Sequence, residues 1–261
     1  MNKQWIGDDH DVRKFCLLKF LTDFLKTGVY ICWMNTSSQS DPKDDIPLSE
    51  EYANISNMLQ SYRNESIHDT RTIEDYSKKI DEIIVCKNYT DAIKQENREN
   101  WFDSFLTEYE KIKKDYALVF IDPDTGIQRK SNIPIKERIR YINWEEINKV
   151  KNEADYVLVY QHGQMGSITS RYNAIDEKYK QLAKDEKYEI IVFLGGLSEN
   201  SNGTKERDFK EAYFLIVTKD IFYQDRMDEL KNRMDELKKM FNDDFQNTPG
   251  FLSLYSPDEK K

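Results

Sequence analysis

The sequence predicts an α/β fold, a three-layer α/β/α sandwich with a mostly parallel sheet. Two observations predict it. Five short apolar runs are nearly continuous rather than alternating, which is typical of strands covered on both faces: VYICW at 29–33, ALVFI at 117–121, YVLVY at 156–160, IIVFL at 190–194 and YFLIV at 213–217. Helical spacing of apolar residues marks the stretches around them, at 49–64, 70–84, 99–114, 144–153 and 172–186.

Residues 11–27 form the first predicted helix. Its apolar residues recur at helical spacing: Val12, Phe15, Leu18, Leu21 and Leu25. Asp8 or Asp9 is the predicted cap, and Gly28 is the predicted stop.

Residues 36–100 contain no apolar run that clearly predicts a strand, and they are dense in Asn, Ser, Asp, Glu and Lys. We interpret them as a helical insertion or cap within a single domain that covers residues 1–261. A weak strand at 83–86 remains an alternative within that segment.

The two last predicted strands are joined by a polar segment too short for a crossover helix, GGLSENSNGTKERDFKEA. We therefore predict an antiparallel hairpin at the sheet edge, with its tip around Ser198–Arg207. The tail repeats RMDELK at 226–231 and 233–238 and places four apolar residues on one helical face: Met227, Leu230, Met234 and Leu237. Packing on the sheet is the favoured role of this 226–241 helix, and a homodimer seam is the alternative.

Composition excludes several classes of protein. The 261 residues include 16 Tyr and 13 Phe, too many aromatic residues for a disordered chain. Asp and Glu outnumber Lys and Arg by 48 to 39, and a net charge of −9 argues against non-specific coating of nucleic acid. No run approaches the ~18–20 apolar residues of a membrane span. MNKQWIGDDHD lacks the apolar core of a secretory signal, and three scattered cysteines predict reduced thiols, so the sequence predicts a cytoplasmic protein with no membrane partner.

Two predicted strands end in residues that carry chemistry. The run at 117–121 leads into Asp122-Pro123-Asp124-Thr125-Gly126, and the run at 156–160 leads into Gln161-His162. If the two strands are parallel neighbours, Asp122 and His162 open onto one crevice at the carboxyl ends of the strands, where α/β sheets bind their ligands.

These residue types suit acid–base catalysis. Asp122 is the predicted general base or charge stabiliser, Asp124 is a second candidate catalytic carboxylate, and His162 is the predicted donor or acid. Gly126 permits a tight turn or a close approach of ligand. The alternative is structural, because Asp-Pro-Asp-Thr-Gly is also a good turn sequence. Further candidate substrate-binding residues are Gln161, Gln164, Asp8, Asp11 and Lys14.

Asp11 and Lys14 share one face of the first predicted helix, so they form either a ligand contact or a simple ion pair. Asp8, His10, Asp11 and Asp122 carry oxygen and nitrogen donors, but their spacing also matches ordinary acidic turns, and we predict no metal. The candidate nucleic-acid contacts are basic residues at 128–140 and beyond: Arg129, Lys130, Arg138, Arg140 and Arg171. A solvated loop is the alternative for the 128–140 strip.

Phosphate-binding and nucleophile motifs are missing from the sequence. There is no Gly-x-Gly-x-x-Gly loop, no Gly-x4-Gly-Lys-Ser/Thr loop and no Gly-x-Ser-x-Gly elbow. The sequence therefore predicts no bound cofactor.

Three groups of motifs resemble a bacterial protein family: Gly7-Asp8-x-x-Asp11-x-x-Lys14, then DYALVFIDPDTGI at 115–127, then VLVYQH at 157–162. That family has Asn where Thr125 stands, and the resemblance implies no particular activity. Asp122-Pro123 and His162-Gly163 also resemble, more loosely, the uracil-DNA-glycosylase superfamily. In that superfamily Pro-Ser often follows the histidine, whereas Gly163 follows His162 here. Adenine-N6 methyltransferases are similar at Asp122-Pro123 alone.

The glycosylase resemblance implies a hydrolase that removes a modified base from DNA. A role against phage DNA that carries modified bases would suit such an enzyme. In that interpretation Asp122 acts on water, His162 on the departing base, and the basic strip on the phosphate backbone. The alternatives are a nucleic-acid methyltransferase that uses S-adenosylmethionine, a metal-dependent nuclease and a non-catalytic binding protein.

Overall fold

The computed structural model describes residues 9–34, 80, 84–89, 91, 95–128, 133–163, 167–195, 198–199, 207–209, 211–218, 226–234 and 252–255. The chain divides into two compact units, Met1–Val159 and Tyr160–Lys261. The boundary falls inside one strand, Tyr156–His162. The single domain therefore stays a prediction, and each unit is considered by itself.

The first unit alternates strands with helices. Its helices are α1 (Asp9–Leu25), α2 (Arg98–Ile112) and α3 (Trp144–Lys151), with 3-10 turns at Gln95–Asn97 and Ile135–Arg140. Its strands are β1 (Val29–Trp33), β2 (Cys86–Tyr89), β3 (Leu118–Asp122), the short β4 (Gly126–Ile127) and β5 (Tyr141–Ile142), and the start of β6 (Tyr156–His162).

The sheet of the first unit has the strand order β2-β1-β3-β6, and every pairing in it is parallel. β1 pairs with β3 from Val29↔Leu118 to Trp33↔Asp122. β3 pairs with β6 from Leu118↔Tyr156 to Ile121↔Val159. We predicted that the strand leading into Asp122 and the strand leading into His162 are parallel neighbours. The parallel pairing of β3 with β6 confirms this prediction.

Helices cover both faces of this sheet, because side chains alternate along β1. The Tyr30 ring stacks on Phe105 of α2, with ring centroids 5.2 Å apart. Trp33 follows Tyr30 by three residues, so its side chain points to the other face, and its ring packs on Phe15 of α1 with centroids 6.1 Å apart. Since Tyr30 and Trp33 point to opposite faces, α1 and α2 lie on opposite sides of the sheet.

One strand lies where only a weak alternative was expected. β2 falls within 36–100, the segment interpreted as a helical insertion, and it overlaps the weak alternative at 83–86 by a single residue. Its sequence, CKNY, contains no apolar run. Cys86 and Tyr89 are buried, but Lys87 is exposed, so a charged residue is tolerated within the strand. Residues 35–79, 81–83, 90 and 92–94 lie outside the described residues, so the helices predicted at 49–64 and 70–84 stay predictions.

The end of α1 differs from the expected one. The helix ends at Leu25, and Lys26, not the predicted stop Gly28, adopts the left-handed conformation that often ends a helix, with φ of 56°. Gly28 serves a different purpose, because a Cβ there would lie 2.6 Å from Cδ1 of Tyr116. The predicted cap Asp8 lies outside the described residues, and Asp9 is the first helical residue.

The second unit contains helix α4 (Ile168–Leu182) and the strands β7 (Tyr188–Gly195), β8 (Ser198–Glu199), β9 (Arg207–Asp208), β10 (Glu211–Thr218) and β11 (Leu252–Leu254). β7 and β10 are antiparallel, and β8 with β9 extends the same hairpin toward residues 200–206, which lie outside the described part. The predicted hairpin is therefore confirmed. Its predicted place at the sheet edge is wrong, because β11 pairs with the other side of β7.

Residues 226–234 are helical, and Leu230 and Met234 are fully buried in the single chain. This burial supports packing as the role of the apolar face. Leu237 and the rest of the predicted 226–241 helix lie outside the described residues, so the homodimer seam stays a prediction.

The predicted fold class is confirmed. The strand pairings are mostly parallel, helices flank the sheet, and an antiparallel hairpin follows, which is the arrangement expected of an α/β/α sandwich. Among the described helices, none combines the length and the apolar character that crossing a membrane requires.

Candidate active site

Asp122 is the last residue of β3, and only 2% of it is exposed. Its register partner is Trp33, so both side chains lie on the face of the sheet that α1 covers. The backbone also ties the two strands together at this point, because the Met34 N–H donates to the Asp122 carbonyl at 3.3 Å. β3 therefore delivers its carboxylate beneath the amino-terminal half of α1.

Lys14 of α1 lies between two carboxylates. Its Nζ is 2.8 Å from Oδ1 of Asp11 and 3.1 Å from Oδ2 of Asp122. Helical spacing places Asp11 and Lys14 on one face of α1, and all three side chains are at most 5% exposed. We call this group the Asp11–Lys14–Asp122 triad. The ion-pair alternative for Asp11 and Lys14 is thus confirmed, and Asp122 joins the pair.

Burial controls the electrostatics of the triad. Burial raises the pKa of Asp122 above its ordinary value, and the Lys14 charge opposes that shift without cancelling it. For Lys14, burial favours the neutral amine, but the attraction of Asp11 and then of Asp122 outweighs it and raises the pKa of the ammonium. Lys14 therefore keeps its charge, whereas Asp122 accepts a proton more readily than an exposed aspartate.

An aromatic ring borders the triad. Nζ of Lys14 lies 5.8 Å from the centroid of the buried Trp33 ring, within the range of a cation–π contact. The Trp33 Nε1–H donates to Oδ1 of Asn88 at 2.8 Å. Since Asn88 belongs to β2, this hydrogen bond fixes the ring across two neighbouring strands.

The triad does not fit a metal ion. The two carboxylates converge on the Lys14 ammonium, which supplies the positive charge that a metal would bring. Nowhere in the described part of the chain do three or more His, Cys, Asp or Glu side chains gather as a metal site would require. The side chain of His10 is outside the described set, so its predicted alternative as a ligand stays a prediction. The three cysteines are buried, and burial raises the pKa of the Cys16 and Cys32 thiols, which makes them poor nucleophiles.

Asp124 is held by the basic strip. The Arg140 Nε–H donates to its Oδ2 at 2.6 Å, and the Thr125 N–H donates to the Arg140 carbonyl at 2.9 Å. The Asp124 side chain is 12% exposed, against 49% for Arg140. The structure therefore gives Asp124 an ion-pair partner, and its catalytic role stays a prediction.

Gly126 has a φ of 122°, a backbone conformation that L-residues rarely adopt. It opens β4, which pairs in parallel with β5 through Gly126↔Tyr141 and Ile127↔Ile142. The glycine is therefore needed for the turn after Asp122, as the structural alternative expects.

Arg98 is a structural residue that the sequence did not reveal. Its guanidinium binds both carboxylate oxygens of Glu146 at 2.6 Å and donates to the carbonyls of Arg138 and Tyr141. Glu146 also closes a capping box with Asn143 at the start of α3. The spacing Asn143-x-x-Glu146 is a signal for the capping box, but no local signal identifies Arg98 as its partner. This contact holds the basic 135–140 turn against α2.

His162 ends β6 as an exposed side chain. Its Nδ1 lies 2.8 Å from the Gly163 carbonyl. In the tautomer in which Nδ1 donates to this carbonyl, Nε2 is the nitrogen that accepts a proton. Gln161 is buried, and its Nε2 donates to the His162 carbonyl at 2.8 Å, so its amide supports the strand end. Whether His162 and Asp122 share a crevice stays a prediction.

The other predicted contacts are placed as follows. Arg138 is exposed, and its Nε donates to the Ile133 carbonyl. Arg171 is half-buried, and one of its guanidinium N–H groups donates to the Phe209 carbonyl at 3.3 Å. Outside the described residues lie Asp8, Arg129, Lys130 and Gln164, so their roles stay predictions.

No protein-family model matches the chain, and no curated protein matches its sequence significantly. The resemblances drawn from the motifs therefore stay predictions, and function has to be argued from the site.

Proposed function

We propose that the chain is a DNA glycosylase, a hydrolase that removes a modified base and leaves an abasic site. The observation that supports this most is the burial of Asp122 at the carboxyl end of a parallel strand, in contact with a lysine. In α/β sheets the carboxyl ends of strands are where ligands bind, and acids with shifted pKa values concentrate at functional sites in proteins.

The reaction breaks the bond between the sugar C1′ and the base nitrogen and adds water across it. The sugar becomes positively charged in the transition state, while the base departs with the electron pair. The Asp122 carboxylate would stabilise that positive charge or take a proton from the attacking water. Lys14 contacts Oδ2, so Oδ1 is the reacting oxygen in this proposal, and Asp11 and Lys14 act as positioning residues.

His162 is the second catalytic residue of the proposal. Because its Nδ1 is engaged by the Gly163 carbonyl, Nε2 would carry the proton that the departing base needs. A histidine exchanges that proton near neutral pH, which suits protonation of a leaving base.

DNA binding would depend on a local basic surface, since the chain as a whole has a net charge of −9. The Ile135–Arg140 turn presents Arg138 and Arg140 as exposed side chains. Their guanidinium groups suit phosphate contacts, while the target base is flipped out of the duplex. A role in defence against phage DNA that carries modified bases would fit this activity.

The test is release of bases from DNA. Duplexes with unmodified bases and with a panel of modified bases are incubated with the protein, and abasic sites are scored by alkaline cleavage. We expect Asp122→Asn to lower the rate by about 100-fold or more, since acid–base groups contribute that much to catalysis. His162→Gln, at an exposed position, should lower it without affecting folding.

Asp23→Asn is the matched control, because Asp23 forms an exposed ion pair with Lys19 on the same helix. It should leave the rate unchanged. Full activity in a folded Asp122→Asn protein would overturn the proposal, and so would wild-type protein that releases no base from any duplex of the panel.

A further inference from the structure

A second buried acid lies in the second unit. Glu211 is the first residue of β10 and is completely buried. It faces Gly195 at the carboxyl end of β7, and a Cβ on that glycine would lie 2.8 Å from both Cγ and Oε1 of Glu211. A buried carboxylate costs several kcal/mol unless hydrogen bonds compensate for the lost water. The glycine leaves room for the Glu211 side chain at this position.

A row of aromatic side chains connects this acid to His162. The hydroxyl of Tyr213, which is also fully buried, donates to Oε1 of Glu211 at 3.1 Å. The Tyr213 ring packs on Tyr160, with centroids 5.5 Å apart and an interplanar angle of 60°. Tyr160 in turn meets the imidazole of His162 edge to face, at 6.5 Å and 83°. Glu211 and Tyr213 share one face of β10, and Tyr160 and His162 share one face of β6, because side chains alternate along a strand.

We propose that Glu211 is a positioning residue for His162 and acts through Tyr213 and Tyr160. The carboxylate fixes the hydroxyl of Tyr213, and this hydrogen bond holds the Tyr213 ring. The ring holds Tyr160, whose packing fixes the plane of the imidazole and so keeps Nδ1 at the Gly163 carbonyl. The outcome is a fixed tautomer on an otherwise exposed histidine. The proposal rests on the proposed function in one respect only: that function uses the fixed tautomer to donate a proton from Nε2 to the departing base.

The test measures the tautomer directly. The chain has three histidines, so ¹⁵N-labelled imidazole signals are few, and His162→Gln identifies those of His162. Tyr213→Phe removes one hydroxyl and keeps the ring. We expect it to move the Nδ1 and Nε2 shifts of His162 toward a mixture of tautomers. If the protein is a glycosylase, kcat should fall by up to about 100-fold with KM little changed, since a misplaced catalytic group can cost that much.

Two variants serve as controls. Tyr255→Phe also removes a hydrogen-bonded tyrosine hydroxyl in the second unit, from a half-buried side chain that donates to Asp176 at 3.1 Å, but it lies outside the row and should leave the His162 signals unchanged. Glu211→Gln keeps an acceptor oxygen for Tyr213 and should preserve them.

Unchanged His162 signals in Tyr213→Phe would overturn the proposal, and so would equal changes in Tyr255→Phe. The imidazole spectrum is recorded without substrate, so it does not depend on catalytic activity. If the wild-type protein releases no base, the proposed function fails while the spectrum still decides whether Glu211 positions His162.

Discussion

Lys14 and Asp122 lie 108 positions apart in the sequence, yet the Lys14 Nζ is 3.1 Å from Oδ2 of Asp122, and both side chains are buried. This contact attaches the first helix to the end of the third strand. Asp11 contacts the same ammonium, so two buried carboxylates share the charge of Lys14. A substitution of Lys14 is therefore the most direct test of the site.

Lys14→Met should be strongly destabilising. It keeps the volume of the side chain but leaves Asp11 and Asp122 buried without their shared ammonium, a loss of about 3–5 kcal/mol when a buried pair is broken. Urea unfolding followed by circular dichroism gives the change in the free energy of unfolding. Lys19→Met removes the half-buried partner of the exposed Asp23 on the same helix and should cost less than about 1 kcal/mol. Equal losses in the two variants would contradict a buried triad.

The raised pKa of Asp122 predicts a particular pH dependence. The folded state binds the Asp122 proton more tightly than the unfolded state, whose pKa is near the ordinary 3.8. As the pH rises above 3.8 through the folded pKa, ionisation of Asp122 therefore lowers the free energy of unfolding. Asp122→Asn removes this contribution. The wild-type protein should accordingly lose stability relative to Asp122→Asn over that interval, as measured by unfolding at a series of pH values. A difference that grows in favour of the wild-type protein would indicate a lowered pKa instead.

Arg98→Lys should weaken the basic turn although it keeps the charge. A lysine cannot bind both oxygens of Glu146 and also donate to the carbonyls of Arg138 and Tyr141. The expected loss is about 1–3 kcal/mol, because part-buried acceptors are left without donors. Hydrogen exchange should show faster exchange at the Gln128 N–H, which donates to the Ile142 carbonyl.

Lys149→Met is the control for that loss, since it breaks only the exposed pair with Asp103. If it accelerates the exchange of Gln128 as much as Arg98→Lys does, the Arg98 contact does not hold the turn.

Gly195→Ala tests the space occupied by Glu211. The added methyl would lie 2.8 Å from the Glu211 side chain, and overpacking of this kind costs about 1–3 kcal/mol. Shortening the neighbour should relieve it, so Gly195→Ala should cost less in a Glu211→Ala background than in the wild-type protein. The measurement is a double-mutant cycle of unfolding free energies. Strict additivity would show that the two residues do not compete for space.

Local patterns predicted much of the fold. The run VYICW predicted β1 at the residues the structure gives, 29–33, because a strand buried on both faces must be apolar throughout. The helix at 99–114 and the hairpin of β7 and β10 were found for similarly local reasons. β2 and β11 were not predicted. Each is short, and each exists because a neighbouring strand offers it hydrogen bonds, which no pattern within four or fewer residues can indicate.

The candidate site divides in the same way. Helical spacing alone placed Asp11 beside Lys14, and strand polarity alone placed Asp122 at a strand end, since both are properties of neighbouring residues. Only the tertiary structure decided that α1 packs on the Trp33 face of the sheet and brings the two together. It also decided that Arg98 pairs with Glu146, because a buried charge is stabilised by whichever group packing brings within hydrogen-bond distance, and that group can come from any part of the chain.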